Sequence, residues 1–166
     1  MTQEFNGKQI RAKFPFLSRE VNEKPIIYLD SAASSQKPQQ VLDKLLTTYS
    51  HGYANIHRGL HTLSEEATDA YEEVRSKIAR FINAADKDEV IFTSGATMSL
   101  NLIANCYGLQ NLKSGDEILI TVAEHHANII PWQMLCQKTG AKIVAVPVDD
   151  DGCFNITELK DRVTKN

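Results

Sequence analysis

Hydrophobic residues in the second half of the chain form short, β-rich runs separated by segments of helical spacing. The apolar runs at Glu89–Thr93, Asp116–Thr121 and Ala141–Val148 predict strands. The helices between them are predicted to end near Gly108 and near Gly140, because glycine is favoured just after a helix. Strands that alternate with helices favour right-handed βαβ units around a mostly parallel, buried sheet. The pattern therefore predicts an α/β fold.

The first half of the chain is predicted to be mainly helical. A short apolar run predicts a strand at Ile26–Leu29, after an N-terminal arm that occupies residues 1–23. Helical spacing predicts one helix with Pro38 in its first turn, which ends at Gly52. A second, long helix is predicted to begin with a capping box, the pair of end-capping residues Thr62 and Glu65.

Composition is ordinary for a soluble globular protein, with 42% hydrophobic and 23% charged residues and a net charge of −3. This charge gives no electrostatic reason to expect nucleic acid or an anionic membrane as a partner. No window resembles a membrane span and the N-terminus is polar, so we expect a cytoplasmic protein. The cysteines are scattered and indicate neither a disulfide framework nor a zinc site. Cys106 and Cys136 are expected to be buried and inert.

Ligands of parallel α/β sheets bind at the carboxyl ends of strands, which singles out the loop Thr93–Thr97. Small residues at Gly95 and Ala96 allow a ligand to approach the backbone, and Thr97 adds a hydroxyl. The start of the following helix would suit a phosphate group. The alternative is that Ser94 or Thr97 only caps the helix.

The second loop of this kind is Ala123–Asn128, which contains His125 and His126. Adjacent side chains on an extended backbone point to opposite faces, so one metal ion would rarely bind both. No metal site is predicted. The pair is either an ordinary pair of surface histidines or includes a ring that stacks on a bound cofactor or exchanges protons with it.

Other candidate residues lie in the first half of the chain. His57 and Arg58 place an imidazole and a fixed cation on a loop, where the guanidinium either binds a carboxylate or is only solvated. The small residues Ala32 and Ala33 either allow close approach of a ligand or form a tight corner.

Taken together, the motifs "YLDSAASSQKP", "HGYANIHRGLHTLS", "VIFTSGATMSLNLIA" and "EHHANIIPWQMLCQKTGA" resemble the N-terminal part of Suf-type (group II) cysteine desulfurases. This resemblance implies a class V, fold-type I transferase that depends on pyridoxal 5'-phosphate (PLP), with residues 24–166 as an incomplete large domain. It also implies a role for each candidate residue. Thr97 with the backbone of Gly95 and Ala96 would hold the PLP phosphate, and His125 would stack on the pyridine ring and move protons.

On the substrate side, the resemblance implies that Ala32, Ala33 and His126 lie near the substrate, with Asn128 as a supporting residue. His57 and Arg58 match a loop that reaches toward the active site of the other subunit of a homodimer. Where this chain has Met98, the family more often has glutamate.

The implied reaction converts L-cysteine to L-alanine and an enzyme persulfide, which supplies sulfur for iron–sulfur clusters through a sulfur-acceptor protein. In the family, a lysine in a later "SGHK"-like turn binds PLP covalently, and the persulfide cysteine also comes later. No lysine or cysteine of this chain matches those positions. We therefore expect an N-terminal fragment that is inactive alone.

The sequence is also compatible with three other functions. The chain is alternatively the non-catalytic half of a split or decayed gene, which acts by docking with a complementary half. A selenocysteine lyase or another class V aminotransferase would share the same N-terminal motifs. A free-standing phosphate-binding module would use "SGAT" without PLP.

Overall fold

A computed structural model describes residues 5–164, and the described chain divides after Val90 into two compact units. The first unit contains α1 (Gly7–Arg11), β1 (Glu20–Val21), β2 (Lys24–Pro25), α2 (Gln39–His51) and α3 (Thr62–Ile82). The second unit contains α4 (Ala96–Ile103), α5 (Leu109–Asn111), β3 (Glu117–Thr121), α6 (Ile130–Thr139), β4 (Lys142–Val146) and α7 (Ile156–Asp161). Within residues 5–164, no helix combines the length and the apolar character needed to cross a membrane.

The second unit is built around a parallel strand pair. Strands β3 and β4 pair from Glu117 opposite Lys142 to Thr121 opposite Val146, and α6 connects them. This arrangement confirms the predicted parallel βαβ unit. Helix α6 ends as predicted at Gly140, whose φ of 78° lies in the left-handed region that glycine adopts without strain.

The predicted full burial of the sheet is not observed. Val146 at the end of β4 is completely buried, but every residue of β3 is only half-buried. A parallel strand is fully buried only where other elements cover both faces of its sheet. In the described part of the chain, β3 does not have that cover.

Two of the predicted strands do not form among the described residues. Residues 26–29 have no regular secondary structure and take part in no strand ladder, although half-buried residues alternate with exposed ones as in a strand. A 3-10 turn, Lys87–Glu89, occupies the start of the predicted strand Glu89–Thr93, and residues 90–93 also lack a ladder. A strand exists only through hydrogen bonds to a neighbour, and an apolar run cannot supply that neighbour.

A tight hairpin lies where the N-terminal arm was expected to end. Strands β1 and β2 pair antiparallel, and Asn22 and Glu23 connect them with φ angles of 54° and 60°. Positive φ at both central residues is the geometry that matches the twist of a two-residue hairpin. The segment predicted as an arm therefore contains the regular elements α1 and β1.

The long helices form close to their predicted bounds but with different caps. Helix α2 ends at Gly52, as predicted, while Pro38 is its N-cap rather than a residue of its first turn. The predicted capping box of α3 is wrong. His61 is the N-cap and its side chain accepts a hydrogen bond from the Ser64 N–H, so Thr62 is already helical.

The helix that begins at Ala96 does not end at Gly108 as predicted. It continues through a π-helical turn, Ala104–Gly108, into α5. Gly108 is buried, and a Cβ added to it would lie 2.4 Å from Cδ2 of Leu135. This glycine permits close packing against α6 and does not terminate the helix.

The cysteines are more accessible than expected. Cys106, in the π-helical turn, is exposed, which contradicts its predicted burial. Cys136 in α6 is half-buried, and this burial raises the pKa of its thiol. Cys153 is exposed.

Candidate functional site

The N-terminus of α4 is open and has no side-chain cap. Gly95 is the N-cap with a φ of 148°, and a Cβ built there would meet no atom within 4 Å. The Ser94 hydroxyl lies 3.3 Å from Sδ of Met98, and no hydrogen bond is formed by the Thr97 hydroxyl within residues 5–164. The alternative in which Ser94 or Thr97 serves only as a helix cap is therefore wrong.

Thr93, at the start of this loop, holds it in place. Its Oγ1 lies 2.7 Å from Oγ of Ser99 and accepts a weak hydrogen bond from the Gly95 N–H at 3.4 Å. Oγ of Ser99 also contacts the carbonyl of Gly95 at 3.3 Å. The loop is consequently shaped by its own polar contacts.

The donors at this helix end suit a phosphate group. The N–H groups of Ala96, Thr97 and Met98 belong to the first turn of α4, where an α-helix has no internal acceptors. All three residues are exposed, and the helix dipole adds partial positive charge. Backbone donors, a free hydroxyl and open space beside Gly95 match the requirements of a phosphate dianion.

The two histidines lie in a 3-10 turn, His126–Asn128, for which His125 is the N-cap. Nδ1 of His125 accepts a hydrogen bond from the Ala127 N–H at 3.1 Å, and its carbonyl accepts one from the Asn128 N–H at 2.7 Å. Both imidazoles are exposed, with ring centroids 6.1 Å apart and planes at 84°. His125 is thus oriented by its own backbone while its ring remains accessible.

A chain of side-chain hydrogen bonds spans this turn. Oε1 of Glu124 accepts from the Thr121 hydroxyl at 3.0 Å, and Oε2 accepts from Nδ2 of Asn128 at 2.8 Å. Oδ1 of Asn128 in turn accepts from Nε1 of Trp132 at 2.9 Å. The bonds from Asn128 and Thr121 lower the pKa of the Glu124 carboxyl against a smaller opposing effect of burial. Glu124 therefore stays ionised and anchors the turn.

The structure brings these two loops together, because α4 packs against the turn that contains His126 and Asn128. A helix end with free backbone donors thus lies beside a turn that presents an accessible aromatic ring. No group of three or more histidine, cysteine or acidic side chains suited to a metal ion occurs in the part of the chain that the structure describes. The chemistry available here is anion binding, ring stacking and proton transfer.

The remaining predicted site residues belong to the first unit. Ala32 and Ala33 lie in an exposed turn, where the N–H groups of Ala33 and Ser34 donate to the Asp30 carbonyl at 3.2 and 3.0 Å. The Tyr28 hydroxyl also donates to the Ser34 carbonyl at 2.5 Å. These small residues form a tight corner, and their exposed methyl groups leave the adjacent backbone accessible.

His57 is held against α3, whereas Arg58 extends into solvent. The His57 N–H donates to Oγ1 of Thr68 at 2.9 Å, and its ring packs edge-on against Tyr71. The His57 backbone has a φ of 68°, which a non-glycine residue adopts only when its surroundings impose it. Within residues 5–164, Arg58 is exposed and forms neither an ion pair nor a side-chain hydrogen bond. The guanidinium is therefore available to an external anion.

Sequence reasoning assigned no role to Glu124 and Trp132, which the structure links to the histidine turn. Their spacing was a usable signal, because Glu124, Asn128 and Trp132 recur every four residues. Residues at i and i+4 face one another where the backbone is helical. The 3-10 turn and the start of α6 supply such a backbone for Asn128 and Trp132, whereas Glu124 lies just before the turn, where His125 is extended.

Comparison with known proteins identifies the family of this chain. The family described as aminotransferase class-V matches residues 27–166. A cysteine desulfurase of Salmonella newport (strain SL254) is 50% identical over 155 residues, which cover 93% of this chain and 38% of that protein. The crystal structure of the Escherichia coli cysteine desulfurase CsdA superposes with a TM-score of 0.79 at 39% identity, covering 98% of this chain and 39% of CsdA.

The apo structure of a cysteine desulfurase from Thermococcus onnurineus NA1 superposes with a TM-score of 0.82 at 37% identity, covering 95% of this chain and 38% of that one. The chain thus spans 38% of the length of the curated relative it matches. The family match covers most of the residues, including both loops of the candidate site. The chain belongs to the class-V aminotransferase family.

Proposed function

We propose that this chain forms the N-terminal part of the PLP site of a cysteine desulfurase, which converts L-cysteine to L-alanine and an enzyme-bound persulfide. The observation that carries the proposal is the uncapped N-terminus of α4 packed against the turn that presents His125. A phosphate site beside an accessible ring suits an aromatic phosphate ester better than a free phosphate ion. The cysteine desulfurase relatives support the same assignment.

The phosphate would be bound by the N–H groups around Gly95 and Ala96 and by the Thr97 hydroxyl. When bound, PLP supplies an electron sink that stabilises negative charge developing on the substrate. His125 would cover the face of the pyridine ring and hold or transfer a proton at its accessible Nε2. The assignment relies on the observed donors and on the orientation of His125 by its Nδ1 contact.

On the substrate side, we assign Ala32, Ala33 and His126 to the surroundings of L-cysteine. His57 and Arg58 would approach the active site of a partner subunit in a homodimer. The support for this role is that Arg58 has an unpaired guanidinium on a loop fixed to α3 by His57. A guanidinium of this kind matches the substrate carboxylate in shape and charge.

The lysine that binds PLP covalently and the cysteine that carries the persulfide are assigned to the part of the relatives that this chain does not span. Delivery of the sulfur to an acceptor protein for iron–sulfur clusters, and a cytoplasmic location, are parts of the same proposal. The alternatives are a non-catalytic half of a split or decayed gene, a selenocysteine lyase and another class V aminotransferase.

Binding of PLP to the wild-type chain tests the cofactor assignment, followed as quenching of Trp132 fluorescence. We expect Thr97→Ala to weaken binding by roughly tenfold, because it removes one hydrogen bond to a charged phosphate. Thr157→Ala is the matched control, since Thr157 also lies in the first turn of a helix, α7. Equal affinity of Thr97→Ala and wild type, or tighter binding of nucleotides than of PLP, would contradict the assignment.

Release of alanine from L-cysteine tests the reaction itself. We expect none from this chain alone, and release when it is co-expressed with the portion of a cysteine desulfurase that it does not span. Preference for L-selenocysteine over L-cysteine in the same assay would identify the selenocysteine lyase alternative. Absence of alanine from the reconstituted pair with PLP bound would favour a non-catalytic role.

A further inference from the structure

The turn that contains His125 and His126 is closed by side-chain hydrogen bonds to which the proposed function assigns no role. Glu124 precedes the two histidines and Asn128 follows the residue after them, and their side chains are joined at 2.8 Å. Thr121 fastens Glu124 to the end of β3, and Trp132 fastens Asn128 to the first turns of α6. The histidine turn is thus anchored at both ends to regular secondary structure.

The partners of Asn128 determine which way its amide points. Its Oδ1 faces the indole N–H of Trp132, which can only donate, and its Nδ2 faces the Glu124 carboxylate, which can only accept. A flipped amide would place donor against donor and acceptor against acceptor. The network therefore has one hydrogen-bonded arrangement. Glu124, Asn128 and Trp132 are all half-buried, so water competes only partly for these bonds.

His125 receives its orientation from the same turn. Nδ1 accepts the Ala127 N–H at 3.1 Å, and a neutral imidazole whose Nδ1 is an acceptor carries its proton on Nε2. The other ring differs, because within residues 5–164 His126 makes no side-chain hydrogen bond, and its ring lies edge-on to the His125 ring. The two adjacent imidazoles are therefore unequal: one has a determined tautomer and the other does not.

We propose that Glu124, Asn128 and Trp132 are positioning residues that hold His125 as the Nε2–H tautomer, with Nε2 as its exposed donor. Asn128 and Trp132 keep the turn closed, so that the Ala127 N–H stays directed at Nδ1. The inference rests on the proposed function only for the assignment of that donor to the PLP site. The tautomer itself is a property of this chain.

Nitrogen-15 NMR of the full chain labelled in its histidines tests the proposal, at a pH about 2 units above the ordinary imidazole pKa. We expect wild-type His125 to show a protonated Nε2 and an unprotonated Nδ1, and His126 to show a tautomer mixture. Glu124→Ala is expected to raise the Nδ1–H share of His125 by roughly fivefold to tenfold, the effect of one hydrogen bond. Glu124→Gln keeps an acceptor for Asn128 and is expected to stay close to wild type.

Trp132→Phe keeps an aromatic ring while it removes the indole N–H donor and part of the indole volume, and it tests the proposal if Glu124→Ala fails to fold. Its expected effect is a smaller rise in the same Nδ1–H share. Glu73→Ala is the matched control, because Glu73 lies in α3 and, among residues 5–164, forms its ion pair with Lys77. A mixture at wild-type His125, or unchanged tautomers in both Glu124→Ala and Trp132→Phe, would overturn the proposal.

Addition of PLP to the same samples separates this inference from the proposed function. If the His125 resonances of the wild type do not respond to PLP while the variants still change the tautomer, the network is a positioning device and the PLP assignment is wrong. If PLP shifts His125 but the variants leave its tautomer unchanged, the PLP assignment stands and the network proposal is wrong.

Discussion

The indole Nε1 of Trp132 donates a hydrogen bond to Oδ1 of Asn128 at 2.9 Å, and the other side of the same amide donates to Glu124 at 2.8 Å. Trp132 is the only tryptophan in the chain. Its fluorescence therefore reports on the histidine turn without contributions from another indole, and this makes the electrostatics of the turn measurable.

Acidification is expected to open the turn through Glu124. The folded structure lowers the pKa of this carboxyl below its ordinary value of 4.5, because Asn128 and Thr121 donate hydrogen bonds to the charged form. Its contribution to stability is thus complete above pH 4.5 and is lost as the pH falls through the lowered pKa. We expect the Trp132 emission to change in this acidic range in the wild type. Glu124→Gln should remove the transition, and Glu73→Gln should retain it.

Substitution of Gly108 by alanine is expected to destabilise the second unit. Alanine is a better helix former than glycine by roughly 0.5–1 kcal/mol. The added Cβ would, however, lie 2.4 Å from Cδ2 of Leu135, which is 3% exposed. Overpacking of this kind costs about 1–3 kcal/mol, so the clash outweighs the gain in helix propensity. Urea unfolding of Gly108→Ala measures the difference.

The origin of this effect can be separated from a general loss of stability. The double variant Gly108→Ala, Leu135→Val should recover part of the loss, because the shorter side chain relieves the clash. Gly52→Ala is the control, since its Cβ would meet only the Thr48 carbonyl at 3.9 Å. Additive effects of Gly108→Ala and Leu135→Val would contradict the proposed contact.

Ser64 is expected to hold the loop that presents Arg58. It is 1% exposed, and its hydroxyl donates to the carbonyl of Asn55 at 2.6 Å. Ser64→Ala should leave that carbonyl without this donor and cost about 1–3 kcal/mol locally. Hydrogen exchange of residues 55–61 should accelerate. Ser76→Ala, which removes a hydroxyl bonded within the same helix, should leave exchange in the loop unchanged.

The cysteines are expected to react with iodoacetamide at different rates. Burial raises the pKa of Cys136, so its reactive thiolate is scarcer at a given pH. Cys106 and Cys153 are exposed. Timed alkylation followed by peptide mass spectrometry should therefore show modification of Cys106 and Cys153 before Cys136. Earlier modification of Cys136 would show that its thiol is not shielded as the structure indicates.

Local patterns in the sequence predicted the elements whose stability depends on nearby residues. The apolar spacing of α2, α3 and α6 identified these helices, and Gly140 marked the end of α6 because its left-handed backbone is a local requirement. Alternation of strands and helices predicted the parallel pairing of β3 and β4. The rule that ligands bind at the carboxyl ends of strands then selected the loops at Gly95 and His125.

Where prediction was wrong, the deciding partner lay elsewhere in the chain. Gly108 resembled a helix end, but its role is to admit Leu135 from α6. The apolar run before Ser94 resembled a strand, but a ladder needs a neighbour that the run does not contain. The N-cap of α3 is His61, one residue before the expected Thr62. Its imidazole accepts a hydrogen bond from the Ser64 N–H.

The amino-acid sequence by itself determined the α/β pattern, the main helices and the two loops that bear the site chemistry, because each depends on residues close together in the chain. Only the tertiary structure decided that the end of α4 is uncapped and packs against the histidine turn. The family resemblance already gave His125 and His126 different roles, but only the tertiary structure showed how their surroundings differ. Nδ1 of His125 accepts a hydrogen bond from the Ala127 N–H, and hydrogen bonds join Glu124 to Asn128 and Asn128 to Trp132 across the turn. Hydrogen bonds between side chains require distances and angles, and residue types and spacing do not specify these.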